Sequence, residues 1–282
     1  MLNKPRVSIQ GGAGSFHHIA AGQIFSDFSM LERPSFRDIF EDVSIGKADF
    51  GLLAIENSIA GSLTYNYDLL GEFNSTIVGE TYLRISHQLI ALPGVTLEGL
   101  KEVWSHPMAI QQSRSFLRTL PVRIIEHEDT AGAVVSIKED HRRDVAAIAS
   151  SVAAEIHGME ILKRNIETDP NNYTRFLLIS NQEGEIAIEG NEYKTSLHFG
   201  FTDRAGALVE ILTIFADAKI NMSKIESRPR LGSPWRYDFY IDLEIDGNSD
   251  AAKSVLNLLA QKTEFLRILG TYPKLKGHFN NI

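Results

Sequence analysis

Short apolar runs rich in β-branched residues alternate with helical periods through the first half of this chain, joined by short connections. Arg6–Gln10 reads as a strand entering the turn Gly11-Gly12-Ala13-Gly14, and a helical pattern follows from Ser15 to about Phe25. Ser35–Ile45 reads as a helix and Asp49–Ile55 as a buried strand. Later come a strand at Glu102–Ser105, a helix opening at Pro107, a strand at Arg123–Glu126 and a helix from Thr130. Asp144–Ala149 and Ser150–His157 complete the alternation as strand and helix. Such a pattern specifies an α/β domain with mainly parallel strands. Two long extended stretches, Thr76–Leu92 and Asn171–Ser180, bracket an internal βα block. They predict two lobes joined by a double crossover, with a cleft where a small ligand binds.

Asn181–Asn191 is polar and aperiodic, and reads as a linker. Beyond it Tyr193–Phe201 is a strand, and Asp203 is placed to cap a helix over Ala205–Ala218 with Leu208, Ile211, Leu212 and Phe215 on one face. Ile220–Arg228 is a strand, and Tyr237–Ile245 alternates, with Tyr237, Phe239, Ile241, Leu243 and Ile245 on one side. Ser249–Gln261 is a helix burying Ala252, Val255, Leu256 and Leu259, and Glu264–Tyr272 closes the module. The order βαββαβ is that of a ferredoxin-like module. Its sheet is expected to keep one open face and to pair with a second copy.

Composition removes several function classes. The 282 residues carry 28 basic and 36 acidic side chains, a net charge of −8, which argues against a nucleic-acid surface. There is no cysteine, hence no disulfide, thiolate nucleophile or Cys-ligated metal. No apolar run approaches membrane-spanning length and no signal core opens the chain, so a cytoplasmic protein with no membrane or nucleic-acid partner is expected. The nine histidines show no metal-ligand spacing, and no G-x-S-x-G elbow occurs.

Four clusters carry the chemical possibilities. The Gly11–Ser15 turn either cradles an anion on free amides or is a plain tight turn; it is neither a P-loop nor a dinucleotide fingerprint. Glu56-Asn57-Ser58 follows a buried strand, where ligands bind in parallel α/β sheets or where a helix is capped. Ser105-His106-Pro107 repeats that situation, with His106 equally suited to capping. Thr174-Arg175-Phe176 sets an arginine in an apolar strand, where it needs a substrate carboxylate or an internal acid. In the small module, Glu226-Ser227-Arg228-Pro229 ends a strand whose proline marks an edge.

These segments, in this order, resemble the prephenate dehydratase family. Gly11-Gly12-Ala13-Gly14-Ser15-Phe16-His17 is similar to its Gly-Pro-x-Gly-Thr-Phe-Ser, and Ala54–Gly61 to its Pro-x-Glu-Asn-Ser-x-x-Gly. Ser105–Ile110 resembles Ser-His-Pro-Gln-Ala-Leu, and Thr174-Arg175-Phe176 matches Thr-Arg-Phe. The C-terminal module resembles an ACT domain through Gly206-Ala207-Leu208 and an unchanged Glu-Ser-Arg-Pro. Gly12, Ser15, His17, Met108 and Ser113 depart from the family residues proline, threonine, serine, glutamine and cysteine.

The resemblance implies a catalytic domain over 1–182 with a type II periplasmic-binding-protein-like fold, its inner lobe about 83–165. A linker at 183–192 and an ACT domain at 193–282 follow. It implies decarboxylating dehydration of prephenate to phenylpyruvate without cofactor or metal. Thr174 then donates to the leaving hydroxyl, with Glu56 or His106 as a relay. Ser15, Asn57, Ser58, Thr130, Arg175 and Phe176 bind substrate. L-Phenylalanine is the expected inhibitor, held by Gly206, Ala207, Leu208 and Asn221 of one chain facing Glu226, Ser227, Arg228 and Pro229 of another in a homodimer or dimer of dimers. No chorismate mutase module precedes the first strand, so the bifunctional form is not expected. An arogenate dehydratase, a non-catalytic amino-acid sensor and a purely structural dimer are the alternatives.

Overall fold

The computed structural model describes residues 4–181, 192–230 and 232–274, so the expected linker at 183–192 lies, save its last residue, outside the described residues. The chain opens with β1 (Arg6–Gln10), α1 (Phe16–Ile24), β2 (Ser29–Arg33), α2 (Phe36–Ser44), β3 (Phe50–Asn57), β4 (Gly61–Ser62), α3 (Thr64–Glu72) and β5 (Thr76–Arg84). It continues with β6 (Gln88–Ala91), β7 (Glu102–Ser105), α4 (Pro107–Gln112), α5 (Arg114–Leu117), β8 (Arg123–Glu126), α6 (Thr130–Glu139), β9 (Val145–Ala149), α7 (Ser151–His157) and β10 (Glu160–Lys163). The remainder is β11 (Tyr173–Ser180), β12 (Tyr193–Gly200), α8 (Ala207–Asp217), β13 (Met222–Pro229), β14 (Tyr237–Leu243), α9 (Asp250–Lys262) and β15 (Phe265–Pro273).

Three sheets result. The first has the order β2-β1-β3-β11-β5, with β1 and β2 parallel in the α/β manner and β4 turned back on β3. The second, β10-β6-β9-β7-β8, is built wholly from residues 88–163 and mixes parallel and antiparallel pairs. Both its faces are covered. Leu89, Val103, Ala146 and Ile148 pack on one side, and Ile90, Val145, Ala147 and Ala149 pack with α6 and α7 on the other. All five side chains of β9 are therefore solvent-free, which is why Val145–Ala149 reads as a continuous apolar run.

The third sheet, β13-β14-β12-β15, is antiparallel throughout and gives the expected βαββαβ order, with β13 at an edge as Pro229 requires. One face carries Leu197, Phe199, Ile241 and Leu243 against Ile211 and Phe215 of α8 and Val255, Leu256 and Leu259 of α9. Each such side chain contributes about 1.5–3 kcal/mol when fully buried.

Several expectations change. The extended run at Thr76–Leu92 is two strands in different sheets, not one. Ile85 and His87 leave the strand path because their backbone groups bond Asn172 O and Ile166 N, at 2.7 and 2.9 Å. Asp203 does not cap α8; Gly206, with φ +83°, occupies the N-cap position without a side-chain bond.

By compactness the chain forms two units, 1–39 with 52–62 and 82–176, and 40–51 with 63–81 and 177–282. The second unit thus takes in more than the C-terminal module. Within it, the face of the module expected to be open is covered. Tyr240, on that face of β14, is 4% exposed; its ring stacks on His198 at 4.2 Å and meets Tyr67 of α3 at 5.2 Å. A Cβ on Gly71 would lie 2.5 Å from the Tyr240 hydroxyl, so α3 approaches as closely as glycine allows. Arg267 of β15 grips the carbonyls that end α3, bonding Leu70 O at 3.1 Å and Phe73 O at 2.8 Å. Arg228 holds Asp68 of α3 in a two-pronged pair at 2.9 and 2.7 Å, and Lys194 pairs with buried Glu80 of β5 at 2.9 Å.

Candidate active site

The end of β3 and the start of β11 meet at Asn57. The structure extends β3 through Glu56 and Asn57, so these residues lie in the strand and not beyond it, and a hairpin rather than a capped helix follows. Asn57 Oδ1 accepts from the amides of Ile59 and Ala60, at 3.0 and 2.9 Å, which fixes the turn. With its oxygen so placed, Nδ2 is the donor, its two protons shared among Asn172 Oδ1 at 2.7 Å, Tyr173 O at 3.1 Å and Thr174 Oγ1 at 3.0 Å, one of them in a bifurcated bond.

The orientation then propagates. Because Asn172 Oδ1 accepts, its Nδ2 donates to Gln112 Oε1 at 2.9 Å. The same Gln112 oxygen contacts His87 Nε2 at 2.9 Å, so His87 carries its proton on Nε2. Backbone amides at 59 and 60 thereby set every polar group as far as Gln112. Asn57, Asn172 and Thr174 are all buried, so each misassignment costs the full penalty of an unmet group. Thr174 is left accepting from Asn57, with no protein acceptor for its own proton among the described residues.

Other expected residues are occupied in different ways. Ser58 donates to Asn171 O at 2.8 Å and accepts from Tyr173 N at 2.9 Å, so its hydroxyl clamps β11 and has no proton to offer a ligand. His106 is the N-cap of α4, its Nδ1 accepting from Met108 N at 3.2 Å. Partial burial pushes its pKa below the usual value despite the opposing pull of Asp129 and Glu126. It is a neutral ring with the proton on Nε2. No hydrogen bond joins Thr174 to Glu56 or His106 among the described residues, and Glu56 sits partly exposed on β3 opposite Ser62. Thr130 opens α6 behind Asp129, whose carboxylate accepts from Gly132 N at 2.7 Å. Arg175 is buried, 6% exposed.

The glycine turn is not an open anion cradle. The amide of Gly11 bonds Arg33 O, that of Ala13 bonds Glu32, that of Gly14 bonds His18 Nδ1 and that of Ser15 bonds Gly12 O. Its glycines serve packing instead, since a Cβ on Gly14 would lie 2.5 Å from Ala153 Cα. Ser15 is buried and caps α1 by accepting from His18 N. Phe176 is buried and receives the edge of the His17 ring at 5.0 Å. Burial lowers the His17 pKa to about 4, and its Nε2 has no hydrogen-bond partner among the described residues.

A family model described as prephenate dehydratase matches residues 7–184, more than half of the chain. The chain belongs to the prephenate dehydratase family. That makes it a hydro-lyase, and a second model, the ACT domain, matches residues 197–260. The arogenate dehydratase/prephenate dehydratase 1 of Arabidopsis thaliana is 38% identical over 96% of this chain and 72% of its own length. A prephenate dehydratase from Arthrobacter aurescens, solved in complex with L-Phe, superposes with a TM-score of 0.87 at 28% identity, covering 95% of this chain and 90% of that one. The quorum-quenching acylase GqqA superposes with a TM-score of 0.86 at 33% identity, covering 95% and 97%.

In the ACT module the expected ligand residues are spread over two elements and their loops. Gly206 has open space at its Cα, Ala207 is buried, Leu208 is half-buried and Asn221 donates to Glu244 at 2.9 Å. Glu226 lies 3.5 Å from Lys224, Ser227 is exposed and Pro229 ends β13, while Arg228 is held by Asp68. Gln112, Asn172 and His87 belong to none of the sequence clusters described above. A polar Asn-Asn pair entering an apolar strand was the one local signal available.

Proposed function

We propose that this protein converts prephenate to phenylpyruvate, carbon dioxide and water, with Thr174 donating a hydrogen bond to the departing ring hydroxyl. The bond from the ring to its carboxylate breaks, its electron pair enters the ring, and the carbon–oxygen bond to the hydroxyl breaks. The hydroxide takes up one proton, drawn in net from solvent, and leaves as water. Aromatisation drives the reaction, so the protein's task is to orient the substrate and assist the leaving oxygen. The supporting observation is the Asn57-to-Thr174 bond, which leaves the hydroxyl proton of Thr174 uncommitted. Arg175 holds a substrate carboxylate, with Ser15, Asn57 and Thr130 as further polar groups. Phe176, backed by His17, forms an apolar wall that favours loss of charge from the ring carboxylate. Glu56 or His106 relays the proton through water, since neither touches Thr174.

The catalytic domain is assigned to 1–182 with its inner lobe at about 83–165, in the manner of a type II periplasmic binding protein, and the linker to 183–192. Support for the inner lobe comes from a second sheet built only from residues 88–163. The ACT domain, 193–282, binds L-phenylalanine as feedback inhibitor across a homodimer or dimer of dimers in the cytoplasm. No helix among the described residues is long and apolar enough to cross a membrane.

Arogenate is the alternative substrate, since the relative named above carries both activities in its name. The acylase reading is disfavoured by chemistry. A threonine nucleophile needs a base that accepts its proton, and the partner of Thr174 is a donor. The test is parallel incubation of the purified protein with prephenate, arogenate and an N-acyl amide. Phenylpyruvate from prephenate, suppressed by L-phenylalanine, is the expected result; amide hydrolysis alone overturns the proposal.

A further inference from the structure

We propose that the cavity beside α4 and α5 is a binding site for a small monocarboxylate with an apolar body, gripped by Arg114 and Arg118. The cavity, of about 600 Å³, lies wholly within residues 59–169 and has the size of a small-molecule site. Its lining includes Ile59 and Met108, which are 47% and 40% exposed, so two large apolar side chains that would otherwise be buried stand open in one place. Met108 occupies a position where the resembled family has glutamine, which makes the apolar floor a feature of this chain.

The charged side of the cavity is equally unusual. Arg114 and Arg118 both line it, four residues apart, a spacing that puts their Cβ atoms about 5–6 Å from each other on a helical turn. Neither guanidinium has a side-chain partner among the described residues. Other arginines of the chain do, as Arg84 pairs with Glu167, Arg123 with Glu102 and Arg142 with Asp144. Two uncommitted forks in a chain of net charge −8 form a ready carboxylate clamp.

One acid, Asp169, also lines the cavity and accepts from Asn171 N at 2.8 Å. Two guanidinium groups and one carboxylate leave the cavity one positive charge in excess. That balance matches a ligand with a single negative charge. Gln112 also lines it; its oxygen is bonded to Asn172 and His87, and its amide nitrogen has no partner among the described residues.

The cavity borders the candidate active site, sharing Gln112 with the network around Thr174, and the proposal adds a carboxylate site to the dehydratase reading; its test needs no turnover, so its failure leaves that reading standing. Protein labelled with ¹³C-methyl methionine is titrated with 3-phenylpropionate, with 3-phenylpropanol and with L-phenylalanine. The Met108 resonance is assigned by its loss in Met108→Leu. A saturable shift of the Met108 methyl with 3-phenylpropionate is expected, weaker by roughly tenfold or more for the alcohol and in Arg114→Ala/Arg118→Ala. Arg118→Ala alone provides the same comparison if the double variant melts below the parent. An unshifted Met108 methyl, equal binding of the alcohol, unchanged affinity in the arginine variants or tighter binding of L-phenylalanine each overturns the proposal.

Discussion

The side-chain amide of Asn57 donates to the hydroxyl oxygen of Thr174 over 3.0 Å, and the amides of residues 59 and 60 determine that direction. Reversing the bond is therefore a sharper probe than deleting it. Asn57→Asp puts an acceptor beside Thr174, so the threonine proton turns toward the carboxylate and away from the substrate. Turnover is expected to fall by about two to four orders of magnitude, as for removal of the donor itself. The lost amide donations add about 1–3 kcal/mol of instability, read by urea denaturation. Near-normal turnover in Asn57→Asp contradicts the donor role of Thr174.

His17 makes acid stability measurable. Its pKa is near 4 in the folded chain because burial disfavours the charged ring, against about 6.5 when unfolded. Between these values the unfolded chain binds the extra proton. Stability from this residue is thus fully present above about pH 6.5 and lost as pH falls toward 4, by up to about 3 kcal/mol. Urea denaturation of His17→Phe between pH 4 and 7 is expected to show a flatter profile than the parent. An identical slope contradicts the assignment.

Gly71 and Tyr240 form a steric pair. Gly71→Ala places a methyl 2.5 Å from the tyrosine hydroxyl and is expected to cost about 1–3 kcal/mol, although alanine is the better helix former. Tyr240→Phe removes the obstructing atom and leaves His198 Cε1, at 3.4 Å, as the nearest neighbour. The double variant should recover most of the lost melting temperature; strict additivity of the two changes overturns the contact.

Asp68 competes for the arginine assigned to the regulatory ligand. The pair is bidentate at 2.7 and 2.9 Å, so an amino-acid carboxylate reaches Arg228 only by displacing Asp68 or sharing it. Asp68→Asn is expected to tighten L-phenylalanine binding several-fold in isothermal titration, with Arg228→Ala weakening it. Weaker binding in Asp68→Asn contradicts the competition.

Local pattern carried the small module well. The period of Ala252, Val255, Leu256 and Leu259 reports one buried face of α9, and those four residues are the ones buried. It failed where distant chain intervenes. Tyr237, Phe239 and Ile241 alternate as a half-exposed strand does, yet Tyr240 and Asp242 are buried on the other face, Tyr240 because α3 reaches it from about 170 residues away. Ile85–His87 holds no glycine or proline to mark the division of Thr76–Leu92, because Asn172 and Ile166 impose it from far along the chain. The candidate site divides likewise. Asn57 and Thr174 are legible at strand ends, whereas Gln112 and His87 acquire meaning only through Asn172, 60 and 85 residues away.

Phenylpyruvate formation from prephenate by the parent, Thr174→Ser and Thr174→Ala, at equal melting temperatures, is the most direct measurement of the central claim. The account predicts that serine, which keeps a hydroxyl, stays within about tenfold of the parent while alanine loses about two to four orders of magnitude. Alanine turning over like the parent would contradict it.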